Sequence, residues 1–126
     1  MKFNLDQPTT INVVRAYGQG LIRIGERSFS RSVIVTASTL LEEWRPRRMS
    51  DLQESDLGEL LRLRPEVLLI GSGPRQEFPQ RTTLAALHAA RVGFEIMDTG
   101  AACRTYNVLA AEGRDVAAAL IVEPAY

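Results

Sequence analysis

The chain predicts a single α/β domain of three layers, a central mixed β-sheet with helices on one side and an additional β meander from the N-terminal part. Three observations predict it. Residues 10–36 are rich in β-branched side chains and are broken by glycine turns. From residue 54 onward, helix-spaced leucines alternate with short, continuous apolar runs, the pattern of helices crossing over a sheet. At 126 residues the chain has enough material for one core and too little for two, so 1–126 reads as one domain.

The elements follow in order. Thr10 to Tyr17 is partly alternating and reads as a strand, closed by the turn Gly18-Gln19-Gly20. Leu21 to Ile24 is the next strand, and after Gly25-Glu26-Arg27 a third runs from Ser28 to Thr36. Leu40 to Trp44 is a short extended segment stopped by Pro46. Leu57, Leu60 and Leu61 lie at i, i+3 and i+4, which places a helix over Glu54 to Leu63 with Ser50 or Ser55 as caps. Val67 to Ile70 is apolar without alternation, as in a strand covered on both faces. A helix over Thr83 to Val92 ends at Gly93, and Phe94 to Met97 is the next strand. Cys103 to Glu112 reads as the last helix, closed by Gly113, and Ala117 to Val122 as the last strand. The alanines of that strand suit close approach by a neighbouring element.

Composition narrows the function. Fifteen basic residues balance fifteen acidic ones, which argues against attraction to nucleic acid and leaves homo-oligomerisation through β-edges open. Arg45-Pro46-Arg47-Arg48 is a short basic loop without aromatic interleaving. The single cysteine, Cys103, rules out an internal disulfide, and one histidine with one cysteine gives no metal-ligand set. No cofactor fingerprint is complete. The amino terminus, Met1 to Pro8, carries no apolar leader, and no segment approaches a membrane span, so a cytoplasmic location is expected.

Two strands that end in polar or glycine-rich turns can bring those turns to one edge of a sheet, where open α/β sheets bind ligands. The candidate residues are Gly71, Ser72 and Gly73 after one strand, and Asp98, Thr99, Cys103, Arg104, Tyr106 and Asn107 after the next. Glycine turns can point backbone N–H groups at an anion. This turn lacks the Gly-Lys-Ser/Thr ending of a phosphate loop and the third glycine of a dinucleotide fingerprint, so a tight strand exit is the competing reading. Arg104 could fork onto a carboxylate or phosphate. Asp98 or Thr99 could cap the last helix. Cys103 near a helix start beside Arg104 has the setting of an activated thiol, against which stands a buried core cysteine. Tyr106 and Asn107 could hydrogen-bond across the strand ends or secure a buried loop carbonyl.

The run Leu68-Leu69-Ile70-Gly71-Ser72-Gly73, then Gln76, Phe78 and Pro79, then Glu95 through Leu109 and Glu112-Gly113-Arg114, resembles a known family. It is the small domain-of-unknown-function family to which the mitochondrial complex I assembly factor three belongs, together with bacterial and archaeal members. The Asp-Thr to Tyr-Asn segment is the specific part. The resemblance implies a three-layer α/β fold with a central mixed sheet and no accepted enzymatic activity. It also implies a protein partner, since the mitochondrial relatives assemble NADH:ubiquinone oxidoreductase with a partner at the inner membrane. Two readings follow. One is a non-enzymatic binding or assembly protein. The other is an enzyme or sensor binding a small anionic ligand at the strand ends near Gly71-Ser72-Gly73 and Asp98 to Asn107.

Overall fold

The computed structural model describes residues 10–125, and the reading of Met1 to Pro8 lies outside them. Strands β1 (Val14–Gly18), β2 (Leu21–Ile24) and β3 (Arg27–Phe29) form an antiparallel sheet in that order, the expected meander. Gln19 and Gly20 join β1 to β2 with φ of 51° and 75°. Two left-handed residues give the connection the twist a two-residue hairpin requires.

The expected strand from Ser28 to Thr36 is two strands in two sheets. β3 ends at Phe29, and β4 (Val33–Thr36) joins the central sheet. Ser32, wholly buried between them, turns the corner. Its hydroxyl donates to the Pro46 carbonyl and accepts from the Val122 N–H at 3.0 Å, while its carbonyl accepts from the Trp44 N–H at 2.8 Å. A buried chain reversal is tolerable because these polar groups find partners.

The central sheet holds β5 (Leu40–Leu41), β4, β8 (Val116–Leu120), β6 (Val67–Gly71) and β7 (Gly93–Met97), in that spatial order. β8, β6 and β7 are parallel, whereas β4 is antiparallel to both β5 and β8. The apolar runs of β6 and β8 are continuous because both faces are covered. Leu68, Ile70, Ala117 and Ala119 enter a core with Trp44, Met49, Leu52, Leu57, Leu60 and Leu87. Leu69, Ala118 and Leu120 enter a second core with Ile22, Ile24, Phe29, Ala102 and Tyr106.

Helices α1 (Gly58–Arg62) and α2 (Arg81–Ala89) lie on the first of these faces, and α3 (Thr99–Ala111) lies on the second with the meander. The expectation of helices on one side therefore holds for α1 and α2 and is corrected for α3. The physical reason is the strand order. The chain steps from β6 to β7 in one direction through α2, then back past β6 to β8 through α3. Right-handed crossovers in opposite directions put their helices on opposite faces.

Two helix starts also differ from expectation. A 3₁₀ turn, Glu54–Leu57, leads into α1, and neither Ser50 nor Ser55 caps it; the Asp56 carboxylate accepts the Gln53 N–H at 2.8 Å. α3 begins at Thr99, not Cys103, because the Asp98 side chain caps it.

Candidate functional site

The carboxyl ends of β6 and β7 are adjacent, Gly71 opposite Met97. The chain leaves one strand toward α2 and the other toward α3, on opposite faces, which is the topology that opens a ligand crevice in α/β sheets. Here the crevice is closed by the chain itself. The Ser72 N–H donates to the Met97 carbonyl at 2.8 Å. The Gly73 N–H donates to Thr99 Oγ1 at 2.8 Å, and the Thr99 N–H returns to the Gly73 carbonyl at 2.9 Å. Thr99 Oγ1 in turn donates to the Ile121 carbonyl at 2.7 Å, and the Ile121 N–H reaches the Gly71 carbonyl at 3.0 Å. Thr99 is wholly buried and ties three segments together.

The glycines have structural reasons. A Cβ on Gly71 would stand 2.8 Å from the Thr99 Cα, so only glycine lets α3 start this close to β6. Gly73 holds φ of 103°, a conformation other residues rarely adopt. Ser72 Oγ donates to the Arg75 carbonyl at 2.6 Å and accepts the Glu77 N–H at 3.0 Å, closing the turn. The amides of Ser72 and Gly73 that could have cradled an anion are spent inside the fold.

The second segment is used in the same way. Asp98 Oδ1 accepts the Ala101 N–H at 2.9 Å, and its carbonyl accepts the Ala102 N–H at 2.9 Å. Tyr106 is fully buried and donates its hydroxyl to the Asn12 carbonyl at 2.7 Å; burial pushes its phenol up to about 12. Asn107 behaves as an extra strand residue. Its Oδ1 accepts the Val14 N–H at 2.9 Å and its Nδ2 donates to the Val14 carbonyl at 2.8 Å, fastening α3 to β1. Cys103 is 5% exposed, and burial pushes its thiol up to about 12, opposed only in part by Arg104. At neutral pH it is a protonated core residue, without the thiolate that nucleophilic or redox chemistry needs.

Arg104 differs from the rest. It is exposed in the second turn of α3 and lines a shallow pocket of about 150 Å³ with Arg15, Tyr17, Gly100, Cys103 and Asn107. The structure thus brings Gly71 to Gly73 against Asp98 and Thr99, and places Cys103, Arg104 and Asn107 beside β1, while Tyr106 is sealed in the core. Arg15, Tyr17 and Gly100 were not legible as site residues. No spacing rule links a meander strand to a helix most of the chain away. Among the described residues no group of His, Cys, Asp and Glu could hold a metal ion, and His88 packs edge-on to Phe94 with ring centroids 5.1 Å apart.

Comparison with known proteins agrees with this architecture. A family described as protein of unknown function, DUF498/DUF598, matches residues 14–121, and the chain belongs to it. The chain is 29% identical over 121 residues to NADH dehydrogenase [ubiquinone] 1 alpha subcomplex assembly factor 3 of Bos taurus, an alignment spanning 94% of this chain and 65% of that protein. It is 31% identical over 107 residues to a 13 kDa major membrane protein of Francisella tularensis, covering 82% of this chain and 84% of that one. A crystal structure of a Bordetella parapertussis protein superposes with a TM-score of 0.83 at 40% identity, covering 93% of this chain and all of that one. Among the described residues no helix is long and apolar enough to cross a membrane.

Proposed function

We propose that this protein is a non-enzymatic binding protein that works in the assembly of respiratory complex I. One observation carries the reading. The polar segment that most resembles a catalytic or ligand-binding edge, Gly71 to Gly73 with Asp98 to Asn107, spends nearly all of its donors and acceptors on the fold. Cys103 is a buried thiol pushed up to about 12, and the Ser72 and Gly73 amides are occupied, which favours a binding surface over a reactive edge. A chain that invests its distinctive residues in rigidity presents a fixed surface, which is what a protein partner reads. The kinship with an assembly factor supports the choice of partner class.

Deletion of the gene from its host, followed by native-gel and NADH-oxidation measurement of complex I, tests the proposal. Reduced assembled complex, restored by the wild-type chain, is the expected result. Normal assembly and activity in the deletion strain would remove the assigned role.

A further inference from the structure

We infer that the outward face of α3 pairs with the same face of a second copy of this chain, antiparallel about a two-fold axis at Val108. The surface stands apart from the closed strand ends and does not depend on the assembly role. α3 turns Ala102, Cys103, Tyr106 and Ala110 into the core. Asn107 fastens one flank of the helix to β1, and on the other flank Thr105 Oγ1 donates to Met97 Sδ at 3.6 Å. Between these flanks Arg104, Val108, Ala111 and Glu112 are exposed. At about 3.6 residues per turn they form one ridge facing away from the core. Val108, 57% exposed, is the apolar centre of that ridge. An exposed valine alone is ordinary, and the charges around it choose its partner.

Arg104 lies one helical turn before Val108 and Glu112 one turn after it. Opposite charges at equal distances from an apolar centre are self-complementary. A two-fold axis at Val108 sets Val108 on its own copy and each Arg104 against the partner's Glu112. Parallel pairing would instead set like charges together. Neither residue joins an ion pair among the described residues, and Arg114, near Glu112 in the chain, is paired with Glu66 at 2.8 Å. Asp98 Oδ1 is turned to the Ala101 N–H. Glu112 carries a second, independent observation. It stands at the C-cap of α3, where free carbonyls favour a cation, and the last turn holds no basic residue. Its charge is misplaced within one chain and matched across the two-fold. Ala111 is small enough to let the two helices approach, and balanced charge over the whole chain adds no net repulsion.

The test is sedimentation velocity of the full chain from micromolar to millimolar concentration, with circular dichroism confirming the fold of each variant. The wild type should pass from monomer to dimer as concentration rises, and less readily as sodium chloride is added. One helix of about 20 Å against its copy lies at the small end of stable interfaces, so the dimer belongs to the upper part of that range. Arg104→Glu or Glu112→Arg alone sets like charges across the axis and should weaken association about tenfold or more. Both changes in one chain should restore it. An equimolar mixture of the two single variants should form a heterodimer, because both contacts are then opposite in sign. Val108→Asp should leave a monomer. A wild type that stays monomeric throughout, wild-type association in the single variants or in Val108→Asp, or failure of the double variant or the mixture to regain association would overturn the proposal.

Discussion

Replacing Thr99 separates an architectural hydroxyl from a functional one. Valine has nearly the shape of threonine, so Thr99→Val leaves packing in place and removes two buried hydrogen bonds, the one from the Gly73 N–H and the one to the Ile121 carbonyl. Each partner is left without water or a substitute, at about 1–3 kcal/mol per orphaned group. The sum is about 2–6 kcal/mol, a large part of the roughly 5–15 kcal/mol that holds a domain of this size together. Thr99→Ser keeps the hydroxyl and loses one methyl group, worth about 1 kcal/mol. Urea unfolding monitored by circular dichroism measures both, with an unchanged m-value confirming that the denatured state is not responsible. The expected order is wild type, then serine, then valine, with valine melting about 10 °C below wild type. A Thr99→Val variant within about 1 kcal/mol of Thr99→Ser would refute the latch, because the buried partners would then have been satisfied in some other way.

Other consequences are quicker to check. Cys103, whose thiol is pushed up to about 12 by burial, should not react with a disulfide reagent at pH 7–8 until denaturant opens the fold; rapid labelling of the native protein with a depressed apparent pKa would contradict its placement in the core. Gly58 is helical and a Cβ there meets open space, so Gly58→Ala should stabilise by about 0.5–1 kcal/mol, whereas Gly71→Ala must push against the α3 backbone and should destabilise. Equal effects of the two changes would sink that contrast. The Arg45 guanidinium holds the Asp56 carboxyl below its ordinary value through contacts of 2.8 and 2.7 Å. A depressed folded pKa contributes stability above the unfolded value, near pH 3.9, that disappears as pH falls through the folded one. Wild type should therefore exceed Asp56→Asn at pH 7 and converge with it in acid, and a gap that persists below the carboxylate range would show that the ion pair is not its source.

The reading of the sequence succeeded where one periodicity acts on one element. Val67 to Ile70 and Ala117 to Leu120 are apolar at every position because each face meets its own core, and that is visible in the chain itself. It failed where a single residue serves partners far away. Nothing near Ser32 announces that its hydroxyl will join Pro46 to Val122, so the sequence predicts one strand where the fold has two. The sequence predicts α3 from Cys103 to Glu112, yet the Asp98 cap and the hydroxyl of Thr99 draw Thr99, Gly100 and Ala101 into the helix.

The site shows the same division more sharply. Gly71 to Gly73 and Asp98 to Asn107 stand out because polar and small residues cluster after buried strands, yet only Gly71 to Gly73, Asp98 and Thr99 meet at the sheet edge, while Asn107 turns to β1 and Tyr106 to the core. What the pattern could not disclose is the direction in which those groups point. A glycine turn facing solvent and a glycine turn making room for Thr99 have the same letters. The deciding quantity is the 2.8 Å between a Cβ placed on Gly71 and the backbone of α3, which exists only once the third helix has crossed to the meander side. Strand order sets that crossing, strand order is a long-range property, and so the chemistry of this edge was settled by topology before any single residue in it could be assigned a role.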